Sequence, residues 1–278
     1  MGGGYSPPNR VHGVGFRAGK LTAGDDTWLA SCRVDGDELV VESCRSASDA
    51  LGVRAAREAA VPAVTRFVAG LDGDAAVGFD FPFGLPRHIV VDRPWEGFLF
   101  EFPNWFASAD DMRERCRMHA ELVSGGEKLL LLRATDRPLS AVSPYDERLA
   151  TETFHGIRDV LRPLVTTGQA VAVPIQEPDP DCPSLLETYP AGTLDTMSLS
   201  PPASASDPEE SAARRERIVA RLADAGVRPT DEVREAMHRS DDALSAVLVA
   251  FAAYRNTLDG GAIRTDDEEH VHEGYIYV

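Results

Sequence analysis

The sequence predicts an α/β domain built on a mixed sheet whose first three strands run antiparallel, with helices flanking it. Three observations carry that expectation. Three short β-rich runs, "RVHGVGFRAG", "TWLASCRVDG" and "ELVVESCRS", follow one another across Gly and Asp turns. A long Ala-rich helical stretch and then an apolar strand, "DAAVGFDFPFGLP", come next. Late in the chain "SDDALSAVLVAFAAYRNTL" is apolar nearly all round after its two aspartates, which marks a helix buried against the sheet with an acidic N-terminus.

The first run holds Gly13, Gly15 and Gly19 and at first suggests a phosphate cradle. A dinucleotide loop, however, needs G-x-G-x-x-G opening a helix inside a strand–helix–strand unit, and these glycines lie in a hairpin followed by further strands. The Ala-rich stretch "SASDALGVRAAREAAVPAVTRFVAG" opens on a Ser cap and should kink or split at Pro62. Three strands, a helix and a further strand is the order that opens ribonuclease H-like domains.

The middle is helical and aromatic. "PWEGFLFEFPNWFASADDMRERCRMHAELVSGG" carries two of the three tryptophans and a capping pattern at Ser108 and Asp111. Its aromatics suit core packing better than a base-stacking platform. "SPYDERLATETFHGIRDVLRPLV" places Ser143 as an N-cap and Pro144 at the first helical position. A strand, "QAVAVPI", leads through the Pro- and Asp-rich stretch 176–183 into "SLLETYPAG". The flexible linker is "SLSPPASASDPEE", residues 198–210, followed by a charged helix from about Asp207 to Ala225 and a short one from Thr230. The expectation is one domain over 1–278 with helical insertions at about 94–168 and 198–240.

Composition bounds the function. A hydrophobic fraction of 43% supports a sizeable core, no run is long and apolar enough to span a membrane, and the N-terminus lacks the apolar stretch of a signal peptide. A cytoplasmic protein without a membrane partner is expected. Cys32, Cys44, Cys116 and Cys182 have no C-x-x-C spacing and read as reduced, buried thiols. The net charge is −17, and Lys20 and Lys128 are the only lysines. Abundant acid with almost no lysine suggests adaptation to molar salt, where the screening length falls to about 3 Å. The same charge opposes nucleic acid in dilute buffer and much less in high salt.

Three acidic positions sit at the edges of apolar elements: Asp80 after "AVGF", Glu187 at the end of "SLLE", and the pair Asp241 and Asp242 opening the buried helix. Carboxylates at the ends of buried elements are costly unless paired or bound to a cation. Converging acids would hold Mg²⁺ or Mn²⁺ for two-metal phosphoryl hydrolysis. The plainer alternatives are an Asx turn at Asp80, an arginine partner for Glu187 and helix capping for the Asp pair. Arg17, Arg87 and Arg133 follow or flank the candidate strands and could fork onto a substrate phosphate or neutralise the local acids. His270 and His272 lack an identifiable third metal ligand and read as part of a solvated loop. Ser143 with His155 lacks the elbow and oxyanion loop of a nucleophilic triad.

At these residues the chain resembles the family called domain of unknown function 429, assigned to the ribonuclease H-like superfamily. The resemblance is carried by the glycine-bearing hairpin at 11–19, "GFDFPFGLP", "LETYPAG", "DDALSAVLVAFAAYR" and the closing "EGYIYV". It implies a sheet flanked by helices with acids from the first strand, a middle strand and a late helix. Asp80, Glu187 and Asp241 or Asp242 match acids of that pattern. Two positions depart from it: Gly15 stands where the family has the Asp of Gly-Val-Asp, and Ser245 where a second helix Asp is frequent. Two functions follow. One is a divalent-metal-dependent nuclease or phosphodiesterase using Asp80, Glu187 and Asp242, with Asp241 as a further metal ligand and nucleic acid as the candidate partner. The other is a non-catalytic relative that keeps the fold and the acidic cleft for binding. Asp25 and Asp26 are expected to be carried away from the site by the hairpin.

Overall fold

The computed structural model describes residues 6–90, 93–199, 208–258, 263–265 and 267–278. Its strands are β1 (Arg10–Gly15), β2 (Trp28–Asp35), β3 (Glu38–Ser46), β4 (Ala75–Phe79), β5 (Val171–Val173), β6 (Ser184–Thr188), β7 (Val227–Pro229) and β8 (Ile276–Tyr277). They form one sheet in the order β5-β6-β4-β1-β2-β3-β7, with β8 paired to β6. The β1–β2 and β2–β3 pairs are antiparallel, and β4 runs parallel to β1 and to β6. The mixed sheet with an antiparallel opening meander is therefore as expected. Its second hairpin turns on Gly36, whose φ of 59° lies in the left-handed region that a side chain would resist.

The helices are α1 (Ala23–Asp26), α2 (Ala47–Leu51), α3 (Arg57–Ala69), α4 (Arg87–Val90), α5 (Trp95–Trp105), α6 (Ala109–Val123), α7 (Ala150–His155), α8 (Arg162–Thr166), α9 (Pro190–Thr196), α10 (Pro208–Asp224), α11 (Asp231–Arg239), α12 (Asp241–Thr257) and α13 (Glu268–Glu273). A π-helical turn, Gly156–Leu161, joins α7 to α8. No helix among the described residues is long and apolar enough to cross a membrane.

Residue alternation in β1 explains how the layers form. Val14 belongs to the apolar cluster shared with α3, α5 and the π-helical turn, and His12 stacks edge-on to Phe67 of α3. Val11 belongs to the opposite cluster, which includes most of α12. Period-2 geometry therefore turns Gly13 and Gly15 toward α12. A Cβ at Gly13 would lie 2.1 Å from the Ala246 carbonyl oxygen, and one at Gly78, its register partner in β4, 2.8 Å from the Val249 carbonyl oxygen. Paired glycines on the sheet and Ala246, Ala250 and Ala253 on the helix let α12 lie close against β1 and β4. Close approach of a helix, and not of a phosphate, is the reason for this part of the glycine pattern.

Several local expectations change. The Ala-rich stretch breaks at Gly52, which takes a left-handed φ of 64°, and α3 runs through Pro62. Ser108 caps α6 as expected, with Oγ accepting from Asp111 N at 3.1 Å. Ser143 does not open a helix: residues 143–149 form turns, and α7 begins at Ala150. The later insertion is not purely helical, because β7 adds a parallel edge strand beside β3. Residues 200–207 of the expected linker, and with them the expected start of α10 at Asp207, lie outside the described residues.

Candidate functional site

β1, β4 and α12 converge at one end of the sheet. Asp80 follows the last residue of β4, and its side chain is only 6% exposed. Its Oδ1 accepts from Phe16 N at 2.6 Å and its Oδ2 from Arg17 Nη1 at 2.9 Å. The same Nη1 also donates to the Phe16 carbonyl at 2.7 Å, so the guanidinium is folded back over the chain leaving β1. Arg17 Nη2 lies 3.9 Å from Asp242 Oδ1 in the first turn of α12. Glu152 of α7 completes the group: its Oε1 is 3.5 Å from Ala18 N, and its charge acts on Arg17.

One guanidinium thus sits among three carboxylates drawn from three elements. Asp80 beside it, outweighing the cost of burial, holds the Arg17 pKa far above its ordinary value, so this cation is permanent. Burial raises the Asp242 carboxyl, helped by the charges of Asp26, Asp80 and Asp241 and opposed by Arg17. Burial likewise raises Glu152, and Asp80 adds to the effect.

Asp26 is a correction to the sequence reading. The chain after β1 folds into α1 rather than continuing a simple hairpin, and this brings Asp26 close enough to act on Asp242.

Glu187 has a different fate. At the end of β6 it is buried, with Oε2 accepting from Arg133 Nη1 and from Phe83 N, each at 2.8 Å, and Oε1 accepting from Arg133 Nη2. Arg133 is itself buried and also forks onto Asp136, through Nη2 to Oδ1 at 2.8 Å and Nε to Oδ1 at 3.1 Å. Burial raises the Glu187 carboxyl, and the adjoining guanidinium opposes that shift. Arg133 and Glu187 are therefore spent on each other, and neither is placed as a free phosphate fork or an open metal ligand. The arginine partner weighed as the plainer reading is the one found.

Two more candidates are engaged elsewhere. Asp241 is exposed and held by Arg215 at 2.9 Å, although it still borders the cavity beside the acids. Arg87 opens α4 away from the cavity, donating its backbone N–H to Glu273 and lying 3.9 Å from Glu268. His270 and His272 lie on α13 rather than on a loop or strand.

A cavity of about 440 Å³ adjoins the acids, with Arg17, Asp80, Glu152, Glu187 and Ser245 in its lining. Much of its wall is apolar, including Phe81, Pro82, Val142, Leu149, Leu244 and Leu248. Arg148 and Tyr189 also reach it.

A two-ion centre does not fit these residues. Gly15 offers no donor where a bridging carboxylate would stand, both oxygens of Asp80 already accept hydrogen bonds, and Glu187 is saturated by Arg133 and Phe83. Among the described residues no three His, Cys, Asp or Glu are grouped to hold a metal ion. Gly15 is not imposed by packing, since a Cβ there would meet only ordinary contacts at 3.6 Å with Ala246 N and the Asp242 carbonyl oxygen.

The class defined by fold and site is a mixed α/β sheet protein with an arginine-filled acidic cleft at the end of β1 and β4. The model of the family described as "Protein of unknown function (DUF429)" matches residues 25–270, and the chain belongs to that family. The matched span begins after Gly15 and Arg17, so these two residues lie outside it. No curated protein and no solved structure matches the chain.

Proposed function

We propose that the chain is a ribonuclease H-like protein in which Arg17 takes the cation's place among the acids, leaving a cleft that binds a small organic ligand without two-metal hydrolysis. Support for the fold assignment comes from the sheet order, an antiparallel β1–β2–β3 meander continued by parallel β4 and β6. The observation that carries the functional reading is the Arg17 guanidinium 2.9 Å from Asp80 and 3.9 Å from Asp242.

Cavity size and lining favour a small ligand, since about 440 Å³ falls in the range of small-molecule pockets, roughly 300–1,000 Å³. The five carboxylates of the lining, Asp80, Asp136, Glu152, Glu187 and Asp241, outnumber its three arginines, Arg17, Arg133 and Arg148, so the ligand's polar head is cationic or hydrogen-donating. Its body lies along Phe81, Leu149 and Leu248. Such a head would also stabilise the ionised forms of Glu152 and Asp242, which burial now disfavours. A phosphodiester strand would bring its charge against the same acids at contact distance, where salt screens little.

The test is paired. In calorimetry with MnCl₂ and MgCl₂ the wild type should show no stoichiometric binding. In thermal unfolding phenethylamine should raise the midpoint, phenylacetate should not, and Glu152→Gln should weaken the amine's effect. Stoichiometric Mn²⁺ binding that disappears in Asp80→Asn would overturn this reading. It would restore a divalent-metal-dependent nuclease or phosphodiesterase, with nucleic acid as the substrate to screen.

A further inference from the structure

A second cleft, of about 790 Å³, opens between α3 and the π-helical turn, with Lys20 and Leu21 at its edge. Its charge runs against that of the molecule. Lys20, Arg57, Arg66, Arg158 and Arg162 line it against only Glu58 and Asp159, in a chain whose net charge is −17. Lys20 is one of just two lysines in the sequence.

The two acids of the cleft are already engaged. Asp159 accepts from Arg158 Nε at 2.7 Å and Nη2 at 2.9 Å, and lies 2.7 Å from His155 Nδ1. Glu58 lies on the exposed surface 4.0 Å from Arg54. Among the described residues no carboxylate pairs with Lys20, Arg57, Arg66 or Arg162. Unmatched cations gathered in one concavity raise the local concentration of anions.

Several of these groups are held in position. Arg57 Nη1 donates to the Ala18 carbonyl at 2.8 Å, Arg162 Nε to the Phe100 carbonyl at 3.3 Å, and the Arg158 guanidinium stacks 4.6 Å above the Phe154 ring. With Nδ1 turned to Asp159, His155 keeps Nε2 as its remaining polar atom. The π-helical turn that carries Arg158 and Asp159 is a form of backbone often found at functional sites. Leu21, Val61 and Pro163 add an apolar wall, so the cleft can seat an organic body as well as a charged head.

We propose that this cleft binds a phosphate monoester carried on an organic body, with the phosphate against Lys20, Arg57 and Arg66. The proposal does not depend on the ligand assigned to the first cavity. The phosphate can come from a free nucleotide or from the phosphorylated end of a nucleic-acid strand, and the two sources offer the same dianionic head.

Calorimetry in dilute buffer with adenosine 5′-monophosphate, adenosine, a 5′-phosphorylated thymidine oligonucleotide and its unphosphorylated form tests it. The monophosphate should bind and adenosine should not. The combined variant Lys20→Gln with Arg66→Gln changes two exposed residues and should weaken the monophosphate about tenfold or more. Arg117→Gln with Arg234→Gln removes the same charge from exposed positions elsewhere and should leave affinity unchanged. Binding of the phosphorylated oligonucleotide as tight as that of the monophosphate identifies strand ends as a source, and weaker binding identifies the free nucleotide. Either supports the site. Equal binding of adenosine and its monophosphate, or equal losses in the two double variants, would overturn it.

Discussion

At the scale of single residues, the cost of charge in a dry place governs both the site and its pH response. Arg17 offsets a buried Asp80, Arg133 offsets Glu187 and Asp136, and His12, with no carboxylate in contact, stays neutral. His12 is 8% exposed, and burial, reinforced by Arg10 and opposed by Glu42, pushes its pKa down from 6.5 to about 4. The unfolded chain therefore binds more protons between these values, so stability rises with pH across the window and falls as the solution is acidified from 6.5 toward 4. About 3 kcal/mol is at stake for a shift of this size. Urea unfolding at pH 7 and pH 4 should show the wild type losing more stability than His12→Gln by roughly that amount. Equal losses would show that the ring is not held neutral. Asp242 and Glu152, whose carboxyls are raised, gain stability in the same acid direction, so only the difference between the two proteins isolates His12. Asp80, Asp242 and Glu187 were legible in the sequence because each charge interrupts an apolar run. Arg17 was visible only as a candidate fork, since its partner is 63 positions away and the pairing depends on the β1–β4 register. Glu152 had no signal, because one acid on a half-buried helix looks like any other.

At the scale of elements, the contact between α12 and the sheet is where the sequence constrains the backbone most tightly. Gly13 and Gly15 are two residues apart on the same face of β1, yet they answer to different demands. A methyl at Gly13 meets the Ala246 carbonyl oxygen at 2.1 Å and Ala250 N at 2.5 Å, so the whole helix must move. At Gly15 the nearest atoms are 3.6 Å away. Gly13→Ala should cost about 3 kcal/mol or more, and Gly15→Ala should be neutral or slightly stabilising through the lost flexibility of the unfolded chain. Urea midpoints of the two variants decide this, and a mild Gly13→Ala would mean that α12 is less closely seated than the structure has it. Gly15→Asp should fold for the same reason and is the variant with which to ask whether an added carboxylate recruits an ion. Long periodic elements such as β1–β4 and α12 were readable because alternation and all-round apolarity survive any tertiary detail. The three-residue β7 and the start of α7 were not. The first is fixed by pairing with β3, and the second by turns through 143–149 that override a favourable Ser-Pro start.

For the whole molecule, charge has been sorted by place as well as by amount. Acids exceed bases by 45 to 28, so the folded chain is a compact polyanion whose self-repulsion opposes folding. Raising KCl from about 0.1 M to 1 M shortens the screening length from about 10 Å to 3 Å, which removes repulsion between distant surface acids. The buried contacts of Arg133 with Glu187 and Asp136 lie within 3.2 Å and are barely affected. The thermal midpoint should therefore climb over this range, and sucrose matched in osmolality should not reproduce the whole rise. A midpoint that stays flat in KCl would show that the composition is no adaptation to salt. The same titration should move the basic cleft beside α3 the opposite way. Lys20 and Arg66 are exposed, so their hold on a phosphate relies on the field that salt suppresses. Stability rising while phosphate affinity falls in one KCl series would separate screened surface charge from unscreened buried charge within a single protein.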